Sequence, residues 1–404
     1  MNGSDQPISL KMRENFCSMG VFTGISPFAN RPVSINIAGQ EEENRRTMHL
    51  FRLLTVAASL ALAGTASAAT IGVVAPQSGA YETLGLQIRQ GVKIAAAKAG
   101  LDVMEIHESC EEGSGGAIAD GLVAAKVSMV VGFLCTETLP EALPTLKNAA
   151  IPAITLSSRA SGLMEDTLKR GWPLFRLAPS EDDESEAVIS AIMRDWKGHS
   201  FGLIDDGTIY SRELVDRVRA KLEESGLKPT FTDTMRPSQE QQVALVRRLS
   251  RTGITHVFIG AERNDVAIIA RDAAAEKAPL TILSGDTMRA ANSPVPMPAG
   301  VLAVTLPDAS ALPSAADAVT ALRAANVEPE GYTLPAFAVT QIAAKLIELT
   351  QSEGKPAPTL LVGTTFETAI GPVIFNDRHE LQTNPYRLQQ WNGTAFIPVE
   401  RAER

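Results

Sequence analysis

From Ile71 onward the chain alternates short β-branched runs with helical runs, over and over. Residues 71–75 read as a strand. Leu84, Ile88, Val92 and Ala95 then recur at helical spacing up to about Gly100. Residues 102–107 form the next strand, and Ile118, Leu122 and Ala125 a helix face. Strand 128–132, helix 138–149 and strand 153–156 follow. Parallel strands need a long crossover, so repeated βαβ implies a parallel sheet covered by helices on both faces. A second series begins near Pro179. The acidic run Glu181-Asp182-Asp183-Glu184 suits a helix's first turn, where the dipole favours negative charge, and is read as solvated. Strand 200–205, helix 211–225, strand 229–234, helix 239–251, strand 254–259, helix 263–276 and strand 280–284 complete it. After a Ser-, Pro- and Gly-rich interval at 285–299 come strand 301–305, helices at 313–325 and 335–352, and strands at 370–375 and 386–391. The fold class is α/β, with two doubly wound parallel-sheet lobes. The last strands are too few to stand alone, so the chain crosses between lobes more than once.

Composition narrows the function. The 404 residues suit two domains, and 45% hydrophobic with 21% charged residues is enough for a sizeable core. A net charge of -9 and only 5% aromatics argue against nucleic acid as a partner.

The N-terminal region carries an export signal. Residues 53–64 are apolar or small, Arg45, Arg46 and Arg52 precede them, and Ala66-Ser67-Ala68 supplies a small-residue cleavage site. The run is too short for a membrane span of about 20 residues. The expected leader is 48–68, starting at Met48. Residues 1–47 are expected to be a disordered upstream extension. Beyond Cys17, in that extension, the cysteines are Cys110 and Cys135. In an oxidising compartment a bridge between them is favoured over two buried thiols.

Ligands of open parallel sheets sit beyond the carboxyl ends of the strands. In the first lobe those positions include Ser78, Tyr81, Thr136, Ser157, Ser158 and Arg159. In the second they include Tyr210, Glu262 and Asp286. Hydroxyls and N–H groups suit a carboxylate, and an acid suits an ammonium. Taken singly, each residue reads first as a loop polar group or a cap, and it is their collection at sheet edges in both lobes that points to a ligand. No GxSxG, HExxH, P-loop or GxGxxG motif occurs, and the histidines lack ligand spacing, so neither a catalytic set, a metal site nor a cofactor is expected.

These residues together resemble a family. Residues 71–79, Val130-Val131-Gly132-Phe133-Leu134-Cys135-Thr136, residues 151–157 and Gly371-Pro372-Val373-Ile374-Phe375-Asn376-Asp377 are similar, in order and spacing, to segments of the periplasmic leucine/isoleucine/valine-binding proteins of ABC importers. The resemblance implies the type I periplasmic-binding fold with a multi-strand hinge. The first lobe would be 69–179 and 307–369, and the second 180–306 and 370–404. It implies a bridge between Cys110 and Cys135, and a ligand carboxylate held by Thr136, Ser157 and Arg159. Asp286 would take the ammonium, Tyr210 and Glu262 would close on the ligand, and Leu84 and Tyr332 would form the wall. Arg159, Glu262 and Leu84 depart from the family pattern, so the family's own ligands are not implied. The expected protein is a periplasmic, monomeric, non-enzymatic binder of an amino acid or related polar ligand that delivers it to membrane permease subunits. A sensor of the same fold, separable by its genomic neighbours, and an exported α/β enzyme, separable by turnover, are the rival readings.

Overall fold

The computed structural model describes residues 68–291 and 294–399. The extension at 1–47 and, Ala68 apart, the leader at 48–68 lie outside the described residues.

The first sheet contains β1 (Thr70–Ala75), β2 (Asp102–His107), β3 (Met129–Gly132), β4 (Ala153–Thr155) and β5 (Leu174–Arg176), in the order β2-β1-β3-β4-β5. All its pairings are parallel. Side chains alternate across a strand, so neighbouring residues serve opposite faces. Val73, Val131, Ile154 and Phe175 fill one core, and Val74, Val130, Ala153 and Leu174 fill the other. Helices α1 (Glu82–Ala99), α2 (Gly115–Ala124), α3 (Leu139–Asn148) and α4 (Ser161–Arg170) connect the strands.

The second sheet contains β6 (Phe201–Asp205), β7 (Phe231–Thr234), β8 (His256–Gly260), β9 (Thr281–Ser284) and β10 (Leu302–Thr305). Its helices are α5 (Glu181–Asp195), α6 (Ile209–Glu224), α7 (Val243–Arg251) and α8 (Arg263–Ala275). The α5 first turn is closed by a capping box between Ser180 and Asp183.

After β10 the chain returns to the first lobe with α9 (Ala316–Ala324), α10 (Thr333–Glu353) and α11 (Ala357–Leu361). Helix α10 packs Val339, Ile342 and Leu346 into the same core as Val73. The contact with α1 is close: a Cβ on Gly91 would stand 2.3 Å from the Thr333 carbonyl oxygen. A short antiparallel hairpin follows, β11 (Phe366–Thr368) with β12 (Gly371–Val373). The sequence reading placed 370–375 in the second lobe. Instead, Val373 and Phe375 fill the first lobe's core, with the Phe375 ring 5.4 Å from that of Phe175. The third crossing therefore falls later, between Leu381, packed on the first core, and Tyr386, inside a second-lobe core. Strands β13 (Arg387–Trp391) and β14 (Phe396–Pro398) then extend the second sheet to β14-β13-β10-β9-β8-β6-β7, with β13 antiparallel to both neighbours. The reading had not included β14.

Three crossings thus join the lobes. The Arg176 backbone N–H donates to the His379 carbonyl, and the Phe175 and His379 rings stack with centroids 4.1 Å apart. No helix among the described residues is long and apolar enough to cross a membrane.

Candidate functional site

The first-lobe wall is built from the loops after β3 and β4. The Thr136 and Ser158 hydroxyls lie 3.0 Å apart. The Ser157 hydroxyl instead turns inward and donates to the Leu134 carbonyl at 2.6 Å, fixing one loop against the other. Beneath this loop lies Glu108, fully buried just past the end of β2. Its carboxylate accepts from the Leu134 and Cys135 N–H groups at 2.8 and 3.2 Å and from the Thr138 hydroxyl at 2.7 Å. Burial pushes its pKa up against these three bonds. Cys110 and Cys135 are paired beside it, Cα atoms 5.3 Å apart. The residues after β2, where Glu108 stands, were not among the strand-end positions singled out in the sequence. Ser78 and Tyr81 are exposed on the β1–α1 loop, and Leu84 is half-buried in the first turn of α1.

The second-lobe wall centres on Glu184, which the sequence placed in a solvated acidic run. It is only 3% exposed. The Tyr210 hydroxyl donates to its Oε1 at 2.6 Å, and the Asp286 N–H donates to the same atom at 2.7 Å. Gly285 makes this approach feasible, since a Cβ there would stand 2.3 Å from Oε1. The signal for Glu184 was its spacing: with Val188 and Ile192 it recurs every four residues on the buried face of α5. Asp286 is already engaged. Its Oδ1 accepts from the Leu306 N–H at 3.1 Å, and its Oδ2 faces the Arg289 guanidinium at 3.7 Å. Glu262 occupies the N-cap position of α8, exposed and without a capping hydrogen bond.

Arg159 links the walls. It belongs to a first-lobe loop, and its guanidinium donates to the hydroxyl of Tyr386, a second-lobe core residue that the strand-end rule did not reach. Burial works to lower the Arg159 pKa, but Tyr386, Glu184 and Asp286 more than reverse it and leave the pKa raised. Burial likewise pushes up the hydroxyls of Tyr210, Tyr332 and Tyr386. Three of the chain's four tyrosines therefore gather around Arg159 and Glu184, in a protein poor in aromatics. The Arg159 and Glu184 charges act on each other, yet no ion pair within 4.0 Å joins them among the described residues. The arrangement offers a cation, a buried anion, a hydroxyl pair and phenol hydroxyls facing one another across the lobe boundary. It can hold a small molecule carrying both charges.

The comparisons agree with this architecture. A protein-family model described as periplasmic binding protein matches residues 68–395. Leu/Ile/Val-binding protein homolog 3 of Brucella melitensis is 24% identical over 373 residues, covering 86% of this chain and 99% of its own. The leucine-, isoleucine-, valine-, threonine- and alanine-binding protein of Pseudomonas aeruginosa is 23% identical, covering 87% and 97%. Among solved structures, an ABC transporter substrate-binding protein from Desulfitobacterium hafniense in complex with Leu superposes with a TM-score of 0.59 at 16% identity, over 82% of this chain and all of that one. The family match runs from just before β1 to the turn before β14 and takes in both lobes and every crossing, so the chain belongs to the periplasmic binding protein family.

Proposed function

We propose that this protein is the extracytoplasmic ligand-binding subunit of an ABC importer, capturing an amino acid or a related small polar ligand between its lobes. The observation that carries this reading is Arg159: a first-lobe cation placed against Tyr386 and within the field of Glu184, both of the second lobe. A ligand carboxylate is received by Arg159, with the Thr136 and Ser158 hydroxyls beside it, and Tyr210 and Tyr332 line the cleft. The acidic second-lobe wall receives the ligand's ammonium. Closure about the three crossings then buries the ligand, as in hinge-type binding proteins. The chain binds and releases without making or breaking bonds. Transport is completed by membrane permease subunits, with ATP hydrolysed by separate subunits. Periplasmic location is supported by the leader at 48–68 and the paired cysteines, and the working unit is a monomer.

The test is a thermal-shift screen across amino acids, amides and small acids. A ligand at 100 times its dissociation constant adds about 2.7 kcal/mol of stability. A clear rise in melting temperature with one class supports the reading. No rise with any compound contradicts it.

A further inference from the structure

We infer that Glu184, rather than Asp286, is the carboxylate that receives the ligand's α-ammonium, and that the site is therefore selective for zwitterionic amino acids over the corresponding simple acids. This inference rests on the proposed amino-acid-binding function and assigns one residue within it.

The two acids differ in how they are already used. Both Asp286 oxygens have partners: Leu306 N–H on Oδ1 and Arg289 on Oδ2. The Arg289 charge offsets that of Asp286, and the backbone bond fixes the carboxylate toward β10. Glu184 is the reverse. Both of its hydrogen bonds fall on Oε1, which leaves Oε2 as an open acceptor among the described residues. Oε2 is not among the buried polar atoms left without a partner, so it opens to solvent, where a ligand donor can reach it; once closure shuts water out, it needs that donor. Its neighbours fix its direction. Tyr210 and the Asp286 N–H hold Oε1 from one side, and Gly285 leaves no side chain to displace it.

Charge balance points to the same class of ligand. With Asp286 facing Arg289, Arg159 and Glu184 are left as a cation and an anion that no ion pair within 4.0 Å matches among the described residues. They sense each other without touching. A molecule with a carboxylate at one end and an ammonium at the other satisfies both. A simple carboxylate satisfies Arg159 and leaves Glu184 buried without a partner. Because an unpaired buried group costs its full desolvation penalty, that second ligand is disfavoured by the site itself.

The test uses the unaltered protein and three variants. Each of the twenty common L-amino acids is first screened singly by thermal shift. The strongest binder and its des-amino analogue, with hydrogen in place of the α-ammonium, are then titrated by calorimetry. The unaltered chain is expected to prefer the amino acid by about a hundredfold or more. Glu184→Gln should abolish that preference, by lowering amino-acid affinity and by relieving the cost that the unpaired acid imposes on the analogue, whose affinity should stay level or rise. Asp286→Asn should keep the preference. Gly285→Ala, which presses on Oε1 without altering any charge, should reduce the preference too, and it decides the matter if Glu184→Gln does not fold. The inference is overturned if Glu184→Gln or a folded Gly285→Ala keeps the full preference, or if Asp286→Asn is the variant that loses it. Failure of every amino acid to bind the unaltered chain is a separate outcome, which overturns the functional reading beneath the inference.

Discussion

Arg176 and Glu380 form an ion pair that joins the first crossing between the lobes to the third. Arg176 is 1% exposed at the end of β5, and its guanidinium also donates to the carbonyls of Arg159 at 2.7 Å and Ala160 at 3.2 Å. One buried cation thus holds both the hinge and the loop that carries Arg159. Removing Arg176 strips the Arg159 and Ala160 carbonyls of their donor, at about 1–3 kcal/mol for a buried acceptor left unpaired, while Glu380, 16% exposed, keeps Arg378 at 3.5 Å. Arg176→Met should therefore lower unfolding free energy by about 2 kcal/mol in urea denaturation and weaken ligand binding as well. A loss below about 1 kcal/mol would show that the pair is not holding the hinge.

The packing of α1 on α10 makes a second prediction. With the Thr333 carbonyl oxygen 2.3 Å from where a Cβ would be, Gly91→Ala must push the two helices apart. Overpacking of this kind costs about 1–3 kcal/mol. The first lobe should melt earlier by calorimetry, while a substitution at Gly116, where a Cβ meets no atom within 4 Å, has no such clash to relieve. Unchanged stability in Gly91→Ala would mean the helices are not packed this closely.

The cysteine pair is expected to be oxidised in exported protein. With 25 residues of sequence separation, the closed loop contributes at most about 3.5 kcal/mol on the chain-entropy account. Intact-mass measurement after alkylation without reductant should show both thiols protected, and reductant should lower the melting temperature. Two alkylated thiols in folded, unreduced protein contradict the pairing.

Glu184 predicts a pH dependence. Burial raises its pKa; the Tyr210 hydroxyl, the Asp286 N–H and the Arg159 charge oppose this, and the Asp286 charge adds to it. A protonated Glu184 has lost the charge an ammonium needs. Affinity for an amino acid should be full above the folded pKa and fall toward tenfold per pH unit below it, from a higher pH than an ordinary glutamate near about 4.3 allows. The ligand-free chain shows the opposite sign: its folded state holds the proton more tightly than the unfolded one. That stability contribution is present at low pH and lost as pH rises through the folded pKa. Calorimetric titrations of unaltered protein and Glu184→Gln across pH check this. Superimposable profiles contradict the assignment.

How much was legible in the sequence follows from what each residue touches. The parallel strands were legible because pairs such as Val73 and Val74 are buried on opposite faces, which forces near-continuous apolar runs. Arg159 and Tyr210 were named by both the strand-end loops and the family resemblance, and Tyr332 by the resemblance alone; the structure sets all three near Glu184 or Arg159. Glu184 did not, because an acid in a helix's first turn already has an explanation in the dipole, and only its alignment with Val188 and Ile192 marks it as buried. Tyr386 precedes an antiparallel strand, outside the rule used for parallel ones. Residues 370–375 were misplaced because a three-residue strand has too little pattern to show which core it serves.

The central claim is that a ligand is held across the lobe boundary by Arg159 from one side and the Glu184 wall from the other. Its most direct measurement is calorimetric titration of Arg159→Ala with the amino acid selected by the screen, beside a melting curve of the ligand-free variant. The account predicts affinity reduced by about a hundredfold or more, with the ligand-free variant still folded and melting modestly earlier from the lost Tyr386 hydrogen bond. Unchanged affinity in a folded Arg159→Ala protein would contradict it.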